Sequence, residues 1–111
     1  ERLAGAAVPK LDLKSMPTLN FGVPSLRKYR CLSLALQAGR KGGTYPAVLA
    51  AADEVAVQHF LAGYIRFTDI ANALDDALSA HDGVPDPELD DLRAADTWAR
   101  AYAEDWVKAK A

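Results

Sequence analysis

The chain has 111 residues, half of them hydrophobic, and a formal net charge of -2 at pH 7. This length suits one domain, and the sequence contains no run of about 18 or more apolar residues of the kind that could span a membrane. Cys31 is the single cysteine, which excludes an internal disulfide and a metal site of several cysteines. We therefore expect one domain without a membrane partner, from a reducing compartment, most simply the cytoplasm.

Residues 1–23 are predicted to form an extended linker, since they alternate poorly and carry irregularly spaced prolines and a glycine. At most one short strand is expected there, around residues 19–21. The pair Pro24-Ser25 opens a turn that leads to a first helix near residues 30–40. One stripe of this helix is apolar and is expected to face the core: Leu32, Ala35 and Leu36.

A glycine pair ends this first helix, and a helix that is apolar nearly all round follows it. Gly42-Gly43 is the stop, and Pro46 lies in the first turn of the second helix, about residues 46–62. Gly63 supplies another stop. Because apolar side chains fall on every side of the second helix, we expect neighbouring helices to surround it.

Two further amphipathic helices complete the predicted bundle. A cap at Thr68-Asp69 starts the third, about residues 69–81, and residues 82–88 form a loop. The fourth, about residues 90–109, has acids in its first turn and lysines in its last, as the helix dipole favours. Its aromatic stripe is expected to pack against the second and third helices: Trp98, Tyr102 and Trp106. The sequence thus predicts an all-α fold, a bundle of about four helices preceded by an extended linker.

Basic residues are concentrated in the first part of the chain. Residues 1–45 contain 8 Lys and Arg residues and 2 Asp and Glu residues, whereas residues 46–111 contain 5 Lys and Arg residues and 13 Asp and Glu residues. The cluster Arg27-Lys28-Tyr29-Arg30 is a candidate nucleic-acid contact. No aromatic-and-basic stripe accompanies it, so solvated turns and helix ends are the favoured interpretation, and no nucleic-acid partner is expected.

Few residues are candidates for chemistry, and each has a structural interpretation. His59 lies on the second helix without His-Glu-x-x-His spacing, so a core histidine bonded to a neighbour is expected rather than a metal ligand. His81 ends the third helix, where a cation suits the helix dipole. Asp53 and Glu54 diverge by about 100° on a helix and cannot form a carboxylate pair by themselves. We predict no catalytic, cofactor-binding or metal-binding residue in this chain.

The most specific motif is Pro-Ala-Val-Leu-Ala-Ala-Ala-Asp-Glu-Val-Ala-Val, from Pro46 to Val57. A Gly-x-Ile-x-Phe-x-x-Ile turn follows it from Gly63 to Ile70. In this order the motifs closely resemble the C-terminal part of 1-deoxy-D-xylulose 5-phosphate (DXP) reductoisomerases, and the similarity extends at compatible spacing over nearly the whole chain. Two positions depart from the family pattern, which usually has asparagines there: Ala50 and Asp53. The residues that we take as a structural signature are Pro46, Asp53, Glu54, Gly63 and Arg66.

The resemblance implies that residues 1–23 are a linker and the end of a catalytic domain, and that residues 24–111 are a C-terminal helical domain that braces it. In the full-length protein, here called the parent enzyme, it implies isomerisation and NADPH-dependent reduction of DXP to 2-C-methyl-D-erythritol 4-phosphate, a step of isoprenoid biosynthesis. NADPH and a divalent metal, Mn²⁺ or Mg²⁺, would bind to upstream domains, which are the implied partners. The parent is implied to be a cytoplasmic homodimer, and this fragment alone should be inert.

Two other classes of function stay open from the residues themselves. One is a free-standing helical interaction module whose partner-binding stripe is Trp98, Tyr102 and Trp106. An intact start codon directly before Glu1 would favour it. The other is a small nucleic-acid binder that uses residues 27–30, for which the affinity would fall steeply with salt.

Glu54 is expected to have a structural partner, because an unpaired carboxylate in an apolar run would be costly. The candidates are Arg66 and the backbone amides of the linker before Pro24. The linker is favoured, because it has to be fixed where it crosses to the bundle.

Overall fold

Four helices make up the regular structure of residues 11–110, which are the residues that the computed structural model describes. They are α1 (Arg30–Lys41), α2 (Tyr45–Leu61), α3 (Phe67–Ala80) and α4 (Leu89–Lys110). No strand is present among these residues, and residues 19–21, where the sequence allows one, are irregular. The predicted all-α bundle is confirmed. The part of the predicted linker in residues 1–10 lies outside the described residues.

Glycines with positive φ angles end α1 and α2, as the sequence predicts. The pair Gly42-Gly43, with φ of 69° and 56°, turns the chain from α1 into α2, and Gly63, with φ of 81°, follows the end of α2. The start of α3 differs slightly from the prediction of a Thr68-Asp69 cap. The helix begins at Phe67, because Arg66 is the extended residue that precedes it.

The core is centred on α2, which contacts the other three helices. Its buried side chains are small or β-branched: Val48, Ala51, Ala52, Val55 and Ala56. α4 faces it with a line of small residues at i,i+4 spacing: Ala95, Ala99, Ala103 and Val107. Because neither surface carries a bulky side chain, the two longest helices can lie close together. α3 contributes Leu74, one of the largest fully buried side chains.

The inward side of α1 is not the one that the sequence predicts. Leu34 and Ala38 are the buried residues of this helix. Ala35 is exposed, and Leu32 and Leu36 are 39% and 40% exposed. The prediction fails because α1 has apolar residues on two sides, and periodicity alone does not say which side the bundle uses.

One strip of α2 is also open, although the helix is apolar nearly all round. Its members lie on the side away from the core and are exposed: Ala50, Glu54, Gln58 and Leu61. Within residues 11–110 the other helices bury the opposite side of α2, and Arg100 of α4 reaches this strip at Glu54. The prediction that neighbours surround α2 thus holds for the three helices that contact it, but not for every side of the helix, because this strip stays open.

The aromatic stripe of α4 flanks the core instead of forming it. Trp98, Tyr102 and Trp106 are each half-buried and pack against the edge of the core. The Trp106 Nε1–H donates to Asp76 Oδ2 of α3 at 2.7 Å, and the Trp98 ring centroid lies 5.1 Å from that of His81. The stripe is thus engaged within the bundle, though less deeply than predicted, which weakens the alternative of an interaction module that binds through these rings.

Candidate functional site: an open face on α1 and α2

An apolar stripe lies exposed on the outer side of α1. Its members follow i, i+3, i+4 and i+7 spacing: Leu32, Ala35, Leu36 and Gly39. Leu34 and Ala38 already attach α1 to the core, so this helix has a second apolar side that residues 11–110 leave uncovered. A contiguous exposed apolar patch of this kind is typical of a surface that another polypeptide segment covers.

A shallow groove beside this stripe lies between α1 and α2. Its volume is about 290 Å³, and its walls are apolar apart from one carboxylate: Cys31, Leu32, Ala35, Leu49, Ala50, Asp53 and Leu74. We use the name α1–α2 face for the outer surface made by Leu32, Ala35, Leu36, Ala50 and Asp53. The face combines apolar anchors with a single charge.

Asp53 is the charged residue of the α1–α2 face. It is half-buried and forms no hydrogen bond or ion pair with any side chain or backbone group in residues 11–110. Burial raises the pKa of its carboxyl. Burial also raises the pKa of the Cys31 thiol, and the nearby Asp53 carboxylate raises it further. A partly desolvated carboxylate without a donor is in an unfavourable environment, which a donor from another segment would relieve.

Glu54, the next residue of α2, has a partner that the sequence prediction missed. Arg100 of α4 donates from Nη2 to Glu54 and from Nε to Asp96, the latter at 2.9 Å. The hydrogen bonds to Asp96 and then to Glu54 raise the pKa of Arg100. The prediction that Arg66 or the linker holds Glu54 is wrong, because Glu54 is exposed and lies opposite α4.

Arg66 serves the start of α3. Its backbone N–H and its Nε both donate to Asp69 Oδ2, each at 3.1 Å. These hydrogen bonds lower the pKa of the Asp69 carboxyl, which is almost completely buried. Lys110, at the end of α4, lies with its Nζ 3.8 Å from the other carboxylate oxygen. The signature turn therefore connects α3 to the last turn of α4.

The two histidines have different roles in the bundle. His59 Nε2 lies 3.0 Å from Glu104 Oε2, which confirms the prediction of a histidine bonded to a neighbour, although the side chain is partly exposed. His81 follows the end of α3, and its Nε2 lies 2.7 Å from Thr44 Oγ1, beside the Trp98 ring. Burial lowers the pKa of His81, so its neutral form is favoured. The prediction of a cation at this helix end is therefore wrong.

Part of the basic cluster before α1 is bound to α3. Arg30 donates to Asn72 Oδ1 at 2.7 Å and to Asp75 Oδ2 at 3.1 Å. These contacts fix the start of α1 and take Arg30 out of the set of groups available to a phosphate. The structure therefore gives the nucleic-acid interpretation no additional support.

Two absences hold for residues 11–110. They contain no group of three or more His, Cys, Asp or Glu side chains arranged to hold a metal ion. They also contain no helix that is both long enough and apolar enough to cross a membrane.

Comparison with known proteins assigns this bundle to a family. The sequence profile described as the DXP reductoisomerase C-terminal domain matches residues 1–102. This chain belongs to that family.

Individual DXP reductoisomerases agree with the family match. The enzyme of Moorella thermoacetica is 53% identical over 96 residues, which are 86% of this chain and 25% of the relative. That of Chloroherpeton thalassium is 49% identical over 96 residues, with the same coverage of 86% and 25%. A solved structure of the Zymomonas mobilis enzyme in complex with NADPH matches with a TM-score of 0.82 at 31% identity, over 94% of this chain and 28% of that chain. The chain thus spans about a quarter of the length of the curated relatives it matches.

Within this DXP reductoisomerase C-terminal domain the signature residues serve different surfaces. Gly63 and Arg66 build the connection between α2 and α3, and Glu54 ties α2 to α4. Pro46 is exposed at the start of α2, and Asp53 belongs to the α1–α2 face. The signature residues therefore do not converge on one site.

Two residues that hold the bundle together escaped the sequence analysis: Arg100 and Thr44. Their partners Glu54 and His81 lie 46 and 37 positions away along the chain. No local spacing signals a contact over such distances.

Proposed function

We propose that this chain is the C-terminal domain of a functional DXP reductoisomerase, which isomerises DXP and reduces it with NADPH to 2-C-methyl-D-erythritol 4-phosphate in isoprenoid biosynthesis. The observation that carries the proposal is the family match over residues 1–102, with 53% and 49% identity to two enzymes of that name. The parent enzyme is proposed to be a cytoplasmic homodimer that uses Mn²⁺ or Mg²⁺.

The proposed role of the domain is to brace the catalytic domain. The α1–α2 face supports this role, since its two leucines are about 40% exposed and are not needed to close the four-helix core. Covering such a surface stabilises the covered arrangement through the hydrophobic effect. The upstream domains of the same polypeptide are therefore the partners that we propose for this chain.

The sites for NADPH and for the metal are proposed to lie in those upstream domains. Arg100 engages both Glu54 and Asp96, and Arg66 engages Asp69, so Asp53 is the one carboxylate of the groove that it shares with Glu54 and Asp96 without a guanidinium partner in residues 11–110. A divalent cation needs several convergent oxygen donors free of such partners, so this set does not fit Mn²⁺ or Mg²⁺. We assign no step of the reaction to a residue of this part of the chain.

A direct test uses the parent enzyme beside the 111-residue chain. With DXP and Mn²⁺, the parent should oxidise NADPH, followed by its absorbance, whereas the chain alone should not. A parent enzyme that shows no DXP-dependent oxidation of NADPH would contradict the proposed reaction.

Isothermal titration of the 111-residue chain tests where the cofactor binds. Neither NADPH nor Mn²⁺ should give saturable heat, and circular dichroism on the same sample should show a helical protein. Saturable binding of NADPH in the micromolar range would contradict the assignment of the cofactor site to the upstream domains.

A further inference from the structure

Two adjacent acids on α2 differ in whether the bundle satisfies them. Glu54 accepts a hydrogen bond from Arg100, whereas Asp53 has no donor within residues 11–110. Asp53 is nevertheless the more buried of the two side chains. An acid that is more desolvated and less well partnered than its neighbour points to a donor outside this bundle.

The surroundings of Asp53 favour a cation over a neutral donor. On the α4 side of α2, the groove that Asp53 lines also contains Glu54, Asp96 and Arg100. Three carboxylates and one guanidinium leave a net charge of -2 there. A second copy of this chain, docked by the same face, would bring its own Asp53 and the adjoining groove of net charge -2 towards this one, which like-charge repulsion disfavours.

We propose that, in the parent enzyme, an apolar segment of the upstream polypeptide covers the α1–α2 face and brings one lysine or arginine to Asp53. Leu32 and Leu36 are the apolar anchors for that segment, and Ala35 and Ala50 let its backbone approach closely. The inference rests on the proposed function, because the parent supplies the segment: the 96 matched residues are 25% of each relative, so the relatives are about 3.5 times as long as this chain of 111 residues.

The experiment compares the same substitution in the 111-residue chain and in the parent enzyme. Asp53→Asn keeps the shape of the side chain and removes its charge. In the isolated chain it should leave the melting temperature unchanged or raise it, because a carboxylate without a donor is removed. In the parent it should lower the first melting transition by about 2–4 °C, because the incoming cation loses its partner.

Glu54→Gln is the matched control, since it removes the charge of the next residue, whose partner Arg100 is present in both proteins. Its effect on the melting temperature should have the same sign and size in the chain and in the parent.

A second pair of variants tests the apolar anchors. Leu36→Ser should lower the melting temperature more in the parent than in the isolated chain. Leu89→Ser changes a leucine outside the α1–α2 face that is 61% exposed, against 40% for Leu36, and its effect should be small and equal in both proteins.

Three results would overturn the inference or the function on which it rests, and they can be told apart. If Asp53→Asn leaves the melting temperature of an active parent unchanged or raises it, no cation meets Asp53. If sedimentation shows a dimer of the parent that Leu36→Glu converts to monomers, a second copy is the occupant. If the parent lacks DXP-dependent oxidation of NADPH but Asp53→Asn still lowers its melting temperature, the proposed reaction fails and the contact stands.

Discussion

Replacing Gly43 by alanine should destabilise the 111-residue chain severely. Gly43 has a φ of 56°, and an added Cβ would lie 2.2 Å from the carbonyl oxygen of Val84 and 3.1 Å from the Cα of Pro85. The left-handed conformation costs about 1–2 kcal/mol for a residue other than glycine. Because both contacts are to backbone, the connection between α3 and α4 would have to move, which adds about 1–3 kcal/mol. We expect a loss of about 2–5 kcal/mol in the free energy of unfolding.

The same displacement should break two hydrogen bonds between the helix connections. The Thr44 N–H donates to the carbonyl oxygen of Val84 at 3.1 Å, and the Val84 N–H donates to Thr44 Oγ1 at 3.1 Å. Urea unfolding followed by helical circular dichroism measures the effect. At an m value of about 1–2 kcal/mol per M, the midpoint should fall by about 1 M or more.

Two other glycines serve as controls for this prediction. Gly63 has a φ of 81° and open space around its Cβ position, so Gly63→Ala should show the conformational cost alone, about 1–2 kcal/mol. Gly39 is helical and also open, so Gly39→Ala should stabilise the chain by about 0.5–1 kcal/mol. If Gly43→Ala costs no more than Gly63→Ala, the close approach of the two connections is refuted.

Three further substitutions test the packing around α3 and α4. Burial lowers the pKa of His81, so the imidazole binds a proton more readily in the unfolded chain than in the folded one. The contribution of His81 to stability is therefore complete above a pH of about 6.5 and is lost as the pH falls through the folded pKa. His81→Gln should therefore flatten the decline of unfolding free energy between about pH 7 and 5, and an unchanged slope would contradict a neutral His81. Trp106→Ala, which removes a half-buried ring and the hydrogen bond to Asp76, should cost about 1–3 kcal/mol in urea unfolding. Leu74→Ala, at a fully buried position, should cost about 2–5 kcal/mol, and the reverse order of the two variants would place Trp106 in the core.

The positions of the helices could be predicted because their signals are local. Gly42-Gly43, Pro46 and Gly63 act on their own stretches of backbone, and they bound α2 in the structure as they do in the sequence. The partner of Glu54 could not be predicted, since Arg100 lies 46 positions away and the interhelical geometry decides which arginine reaches it. The charge state of His81 could not be predicted for the same reason, because the residues that contact its ring, Thr44 and Trp98, lie far from it along the chain.

The misassigned side of α1 has a different cause, which bears on the proposed function. Periodicity reports which residues are apolar, and an apolar stripe is selected wherever it becomes buried, whether by this bundle or by another domain. Leu34 and Ala38 are buried by this bundle, and burial by another domain would explain Leu32 and Leu36, which the bundle leaves exposed.

Asp53 extends this argument from apolar side chains to charge. An isolated helical protein would gain by replacing a half-buried carboxylate that has no donor, since its desolvation is uncompensated. Its neighbour Glu54 shows that α2 can hold an acid with an internal partner. The exposed leucines and the unsatisfied acid lie on the same face, so one covering segment would account for both. Opposite effects of Asp53→Asn in the chain and in the parent enzyme are therefore the strongest expectation that this bundle supports.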